Sequence, residues 1–200
     1  MARRAPPALA LALAALLAAP AAATSLRSLS VRELLARAEL VFEGRALARE
    51  TRELSPGGAI RTCVRFEVLD VVKGPRVASP LELCFSGGTV GGRTRAVEGL
   101  EVPAPGEHGI YFVDDLGAPR VHPLSGWDQG RFRVRDGPEA DVATADGRPV
   151  VELEEREPPP ARGPGSRVAR GARVGAPGAR GLAPDAFKAR LRELLAEPAP

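Results

Sequence analysis

Ala59-Ile60-Arg61-Thr62-Cys63-Val64-Arg65-Phe66-Glu67-Val68-Leu69-Asp70-Val71-Val72 alternates apolar and polar side chains over most of its length. Alternation with period two, rich in β-branched residues, is the pattern of a half-buried strand. Val64, Phe66 and Val68 share its apolar side; Cys63, Arg65 and Glu67 share the other. The alternation slips at Leu69, which predicts a bulge there. Ser55-Pro56-Gly57-Gly58, just upstream, is a turn. Leu40 to Arg52 reads as a second long strand, so the two form a long hairpin that Lys73-Gly74-Pro75 ends.

Shorter strands follow. Leu81 to Phe85 carries Leu81, Leu83 and Phe85 on one side and Cys84 on the other. A long loop opens with Ser86-Gly87-Gly88-Thr89-Val90-Gly91-Gly92 and runs to Glu107. His108 to Val113, Arg120 to Leu124 and Arg131 to Val134 are predicted strands. Asp141 to Thr144 and Pro149 to Leu153 form a weaker hairpin around Asp146-Gly147. Ahead of them all, Ser30-Val31-Arg32-Glu33 is a capping box that starts a short helix through about Arg37.

The ends of the chain differ from this body. Arg3-Arg4, an Ala/Leu run from Ala8 to Ala19, Pro20 and Ala21-Ala22-Ala23 have the build of a secretory signal peptide over residues 1–23. The alternative is an uncleaved anchor, but a spanning helix needs about 20 apolar residues and this run is shorter. The predicted body is 24–156. Residues 157–181, opening on Pro158-Pro159-Pro160, lack periodic apolar positions and read as a disordered Pro/Gly/Arg/Ala-rich linker. Residues 182–200 read as an amphipathic helix, with Pro184 at its start and Phe187, Leu191, Leu194 and Leu195 on one stripe. So short a helix must dock on the body, on a second copy or on a partner.

The net charge of +3 hides an asymmetry. Residues 24–157 hold 18 basic and 22 acidic side chains, and 158–200 hold 8 and 3. A mildly acidic body argues against nucleic acid as a partner. The arginines at 162, 167, 170, 173 and 180 read as a solvated linker, with an anionic envelope surface as the alternative. An exported chain with two cysteines, each on the less apolar side of its strand, is expected to join Cys63 to Cys84. The alternative is two free thiols.

The order of the short motifs resembles that of a group of small exported bacterial proteins, some found beside secreted matrixin-type metalloproteases. The matching residues are Val41-Phe42-Glu43-Gly44, Val71-Val72-Lys73-Gly74, Gly87-Gly88-Thr89-Val90-Gly91, Gly106-Glu107 and Gln129-Gly130-Arg131-Phe132-Arg133-Val134. The resemblance spans about 30–136. Val72 departs from its usual Leu, and the two cysteines are outside the pattern. The resemblance implies an OB-type antiparallel barrel, broadly similar to the inhibitor domain of tissue metalloprotease inhibitors. It carries no settled activity, and the N-terminal cysteine by which those inhibitors meet zinc has no counterpart here.

The expected fold is therefore all-β, an OB-like antiparallel barrel with a helix at each end; an open β-sandwich is the alternative. No Gly-x-Ser-x-Gly elbow, zinc ligand set or phosphate loop is present. His108 is expected on the surface, and His122 with Ser125 does not match a triad spacing. Asp114-Asp115 and Asp136 to Asp141 are expected to be charged turns rather than calcium sites. The chain is thus read as a non-enzymatic exported binding protein without cofactor or metal. Its partner would be another exported protein, a metalloprotease being the one the resemblance suggests. The candidate contact residues are Val90, Val97, Leu100 and Val102 in the 87–107 loop, Trp127, and Phe187 and Leu191 in the terminal helix. The competing readings are a loop that only covers the core, a Trp127 packed inside, a structural envelope role, or an unfamiliar hydrolase acting through acids such as Glu107.

Overall fold

The computed structural model describes residues 27–154 and 166–197. The predicted leader and residues 157–165 of the predicted linker lie outside the described residues. The elements are α1 (Val31–Arg37), β1 (Leu40–Glu53), β2 (Ile60–Lys73), β3 (Leu81–Ser86), β4 (Gly88–Val90), β5 (Arg93–Arg95), β6 (His108–Val113), a 3-10 turn (Trp127–Gly130), β7 (Arg131–Arg135), β8 (Asp141–Thr144), β9 (Val150–Leu153), β10 (Ala172–Val174) and α2 (Pro184–Ala196). No helix among the described residues is long and apolar enough to cross a membrane.

The capping box closes as its sequence predicts. Ser30 Oγ accepts the Glu33 N–H at 3.0 Å, and Glu33 Oε2 accepts the Ser30 N–H at 2.8 Å. The far end of α1 is met by Lys73, whose Nζ donates to the carbonyls of Leu35 and Ala38 at 2.5 and 2.6 Å. A cation there satisfies orphan carbonyls and complements the helix dipole. The next residue, Gly74, has φ +102°, and a Cβ on it would lie 2.2 Å from the Glu39 carbonyl oxygen. Lys73-Gly74 is thus the joint between hairpin and helix.

The main sheet runs β3-β2-β1-β6-β7-β8, with every neighbouring pair antiparallel. Its ends are β3 and β8, and no strand pairing joins them among the described residues. The segment after β6 spans part of the opening: Ser86 N–H donates to the Val121 carbonyl and Ser125 N–H to that of Phe112. The expected strand at Arg120 to Leu124 is only a single bridge, Val113 to Leu124.

Around β6 both faces of this sheet are buried. Ile110 and Phe112 enter one core, while Tyr111 and Val113 enter the other. The first core is covered by α1, α2, β9 and β10, through Leu34, Leu35, Phe187, Leu191 and Leu153. The second is built on Phe42, Phe66 and Tyr111, whose ring centroids lie 4.8 to 5.6 Å apart in tilted and edge-on pairs, the arrangement that ring quadrupoles favour. Cys63 and Cys84 stand directly opposite each other in the β2–β3 register and are disulfide-bonded.

The predicted bulge is present. Glu43 pairs with Asp70 and Gly44 with Val68, so Leu69 is the extra residue. A second register shift leaves Leu47 over on β1, between Ala46 opposite Phe66 and Ala48 opposite Arg65. Both bulged leucines are exposed.

Two further expectations need correction. The 87–107 segment is not loop throughout, because β4 and β5 pair in it as a hairpin. Residues 166–181 are not a free linker. Val31 N–H donates to the Arg170 carbonyl and Arg170 N–H to that of Leu29, while β10 pairs with β9. Its docking is carried by backbone hydrogen bonds and two buried alanines, Ala169 and Ala172, so it shows no apolar period.

Candidate binding surface

The motifs of the resemblance build architecture rather than a reactive centre. Glu107 Oε1 accepts from Arg131 Nε at 2.8 Å and from the Tyr111 hydroxyl at 3.2 Å. The Arg131 side chain is 2% exposed. Burial opposes its charge, but the Glu107 carboxylate outweighs that and raises its pKa. Gln129 Oε1 accepts the Leu29 N–H at 2.7 Å, and its Nε2 donates to the Arg27 carbonyl at 3.0 Å. A Cβ on Gly130 would lie 2.3 Å from the Ser125 carbonyl oxygen. Phe132 and Val134 enter the first core.

The long loop lies over one end of the β1–β2 hairpin and leaves a cleft of about 310 Å³ there. Thr51 and Thr62 form its strand wall, with their hydroxyls 3.0 Å apart; Thr62 Oγ1 also donates to the Gly87 carbonyl at 2.8 Å. Val97, Leu100 and Val102 line it from the loop. Leu100 and Val102 also pack on the second core, so they cover the core as well as bounding the cleft. Val90, half-buried in β4, faces elsewhere than this cleft. Arg49 from β1 and Arg95 from β5 complete the rim. Neither guanidinium has a hydrogen bond or ion pair among the described residues. These two arginines were missed in the sequence because arginine is abundant along the whole chain.

Trp127 lies in a second cleft, also of about 310 Å³, and lines it half-buried. Its indole stacks on His122 at 5.2 Å with 12° between planes. It is the one non-glycine residue at positive φ, +59°, among the described residues. His122 is buried, and its Nδ1 accepts the Leu124 N–H at 3.2 Å. Burial, with the positive charge of Arg131 second, pushes its pKa down to about 3.

Phe187 and Leu191 are fully buried against the body. They are therefore core residues, and the terminal helix offers neither to a partner. Leu195, the last of the stripe, is turned outward.

Polar clusters are structural where their partners can be named. His108 is half-buried rather than on the surface, its side chain 10% exposed, between Glu43 at 2.9 Å and Asp136 at 2.7 Å. Arg45, with His108 second, lowers the Asp136 pKa to about 2. Lys188 Nζ reaches Glu43 and Asp70 at 2.6 and 2.9 Å, a link invisible in a sequence where the two acids lie far upstream. Asp115 Oδ1 accepts the Gly117 and Ala118 N–H groups, as a charged turn does. Ser125 Oγ donates to Asp114 at 2.7 Å, and no hydrogen bond joins it to His122. Cys63, Glu82 and Cys84 are the one close grouping of metal-type donors among the described residues, and the disulfide engages both sulfurs.

No protein-family model matches the chain, and comparison with curated proteins and with solved structures finds no similar protein.

Proposed function

We propose that this chain is an exported, non-enzymatic binding protein on an OB-like scaffold, and that it holds an acidic segment of another exported protein in the cleft beneath the 87–107 loop. One observation carries this reading. Arg49 and Arg95 flank Val97, Leu100 and Val102, and among the described residues no carboxylate answers either charge. Several other arginines are paired: Arg131 with Glu107, Arg135 with Asp141, Arg45 with Asp136. An unanswered pair of guanidinium forks beside apolar side chains suits bidentate capture of carboxylates next to an apolar anchor. A disulfide-bonded sheet suits an oxidising compartment, and a rigid β scaffold presenting a loop is a common way to build a binding site.

The resemblance makes a secreted matrixin-type metalloprotease the first partner to try. The test is a titration of such a protease against the purified, disulfide-bonded chain and against the double variant Arg49→Glu, Arg95→Glu, with circular dichroism confirming that both are folded. Saturable binding to the parent, weakened at least tenfold in the variant, supports the reading. Equal binding by both, or none by the folded parent to any exported protein of its host, rejects it.

A further inference from the structure

We propose that the cleft at Trp127 and His122 is a second, separate binding site, and that it takes a small oxyanion, a carboxylate or a phosphate. Three parts of the chain converge on it: Arg27 ahead of α1 with Arg37 at its end, Arg120 after β6, and the Trp127 turn. Asp114 is the one acid on its wall. Arg120 is shared between Asp114 and Asp115 at 3.6 and 3.3 Å, and Arg27 pairs with Glu33. Arg37 has no hydrogen bond or ion pair among the described residues. The wall thus carries a positive excess, with one guanidinium ready for an anion and another bridging two acids at long range.

The floor supplies an independent observation. Because His122 Nδ1 accepts the Leu124 N–H, a neutral ring carries its proton on Nε2. That Nε2 is buried and has no hydrogen-bond partner. An unmet donor in a buried place is costly unless something accepts from it. Trp127 stacks directly on this ring, held at a positive φ that strains a bulky residue. Backbone strain of this kind persists only where the surroundings over-determine it, and it gathers at ligand sites. Here the surroundings are known: Gln129 ties the turn to Arg27 and Leu29, so the same clamp that fixes the indole fixes the entry of α1 and its arginines. The cleft volume, about 310 Å³, falls within the range of small-molecule sites.

Trp127 is the only tryptophan of the chain, so its emission reports on this cleft alone. The experiment titrates the purified, disulfide-bonded chain with inorganic phosphate, sodium benzoate and phenyl phosphate at constant ionic strength. Benzamidine hydrochloride is the cationic control, and calorimetry is run in parallel. The expected result is a saturable change with at least one anion and none with benzamidine, its midpoint raised about tenfold or more by Arg37→Glu. The phosphate and benzoate arms separate the two anion sources. Arg49→Glu, in the other cleft, leaves the midpoint unchanged, so failure here is distinguishable from failure of the protein-binding reading. Absence of saturation in both emission and heat, or an unchanged midpoint in folded Arg37→Glu, overturns the proposal.

Discussion

Lys188 Nζ donates to Glu43 Oε2 at 2.6 Å, joining the terminal helix to the first strand of the sheet across 145 residues of chain. The same nitrogen bonds Asp70 at 2.9 Å. Burial opposes the lysine's charge, and the carboxylates of Glu43, Asp70 and Asp185 outweigh it, so its pKa is raised. Replacing it leaves Glu43 buried with one partner gone. Lys188→Met is expected to cost about 3 kcal/mol of stability in urea unfolding. Adding Glu43→Gln is expected to cost much less than the two single changes summed, and simple additivity contradicts the coupling.

The joint at Gly74 makes a steric prediction. Gly74→Ala places a methyl group against the Glu39 carbonyl at a φ of +102°. About 2 kcal/mol is the expected loss. Lys73→Met, which removes the cap from the Leu35 and Ala38 carbonyls, is expected to cost about 1 kcal/mol. Unfolding curves of the two variants check both values, and a neutral Gly74→Ala rules out the tight approach.

Reduction separates the disulfide from the rest of the fold. Cys63 and Cys84 close a loop with a sequence separation of 21, and in the chain-entropy model such a link contributes about 3 kcal/mol. Parent protein with reductant, and Cys63→Ser with Cys84→Ser without it, are expected to unfold at the same, lower urea concentration. Unchanged midpoints remove the stabilising role.

His122 gives a pH dependence whose sign follows from its burial. Its folded pKa, about 3, lies below the unfolded value of about 6.5. Above that value both states are neutral and the group contributes no pH dependence. As pH falls from about 6.5 towards 3, the unfolded chain takes up a proton the folded one refuses, and stability declines. Asp136, with its pKa lowered to about 2, adds its own loss only below the ordinary Asp range. Between pH 6.5 and 4.5, therefore, the parent is expected to lose more unfolding free energy than His122→Gln. Parallel curves for the two refute a buried neutral His122.

Much of this fold is legible in local sequence. The capping box, the Leu69 bulge, the side of its strand that each cysteine takes and the apolar stripe of the terminal helix all depend on neighbours a few residues apart. The β9–β10 pairing was hidden because backbone hydrogen bonds and alanines carry it, and composition alone suggests disorder there. The Trp127 cleft was hidden for another reason. Its arginines come from two distant segments, and its histidine becomes notable only when burial removes the partner of Nε2. Phe187 and Leu191 were offered to a partner because an amphipathic stripe does not say which surface it meets. The Lys73-Gly74 and Gln129-Gly130 motifs were visible as words, and their meaning as clamps required the contacts.

The bridge between Ser30 and Arg170 carries a consequence for timing. The first helix of the body shares its cover with a segment near the other end, and Leu194 closes the same core. A chain emerging N-terminus first from a ribosome has no way to finish that core until Leu194 is out. Such late closure delays folding, as long-range pairing does in general. It leaves the polypeptide open until then and exposed to aggregation for the same interval.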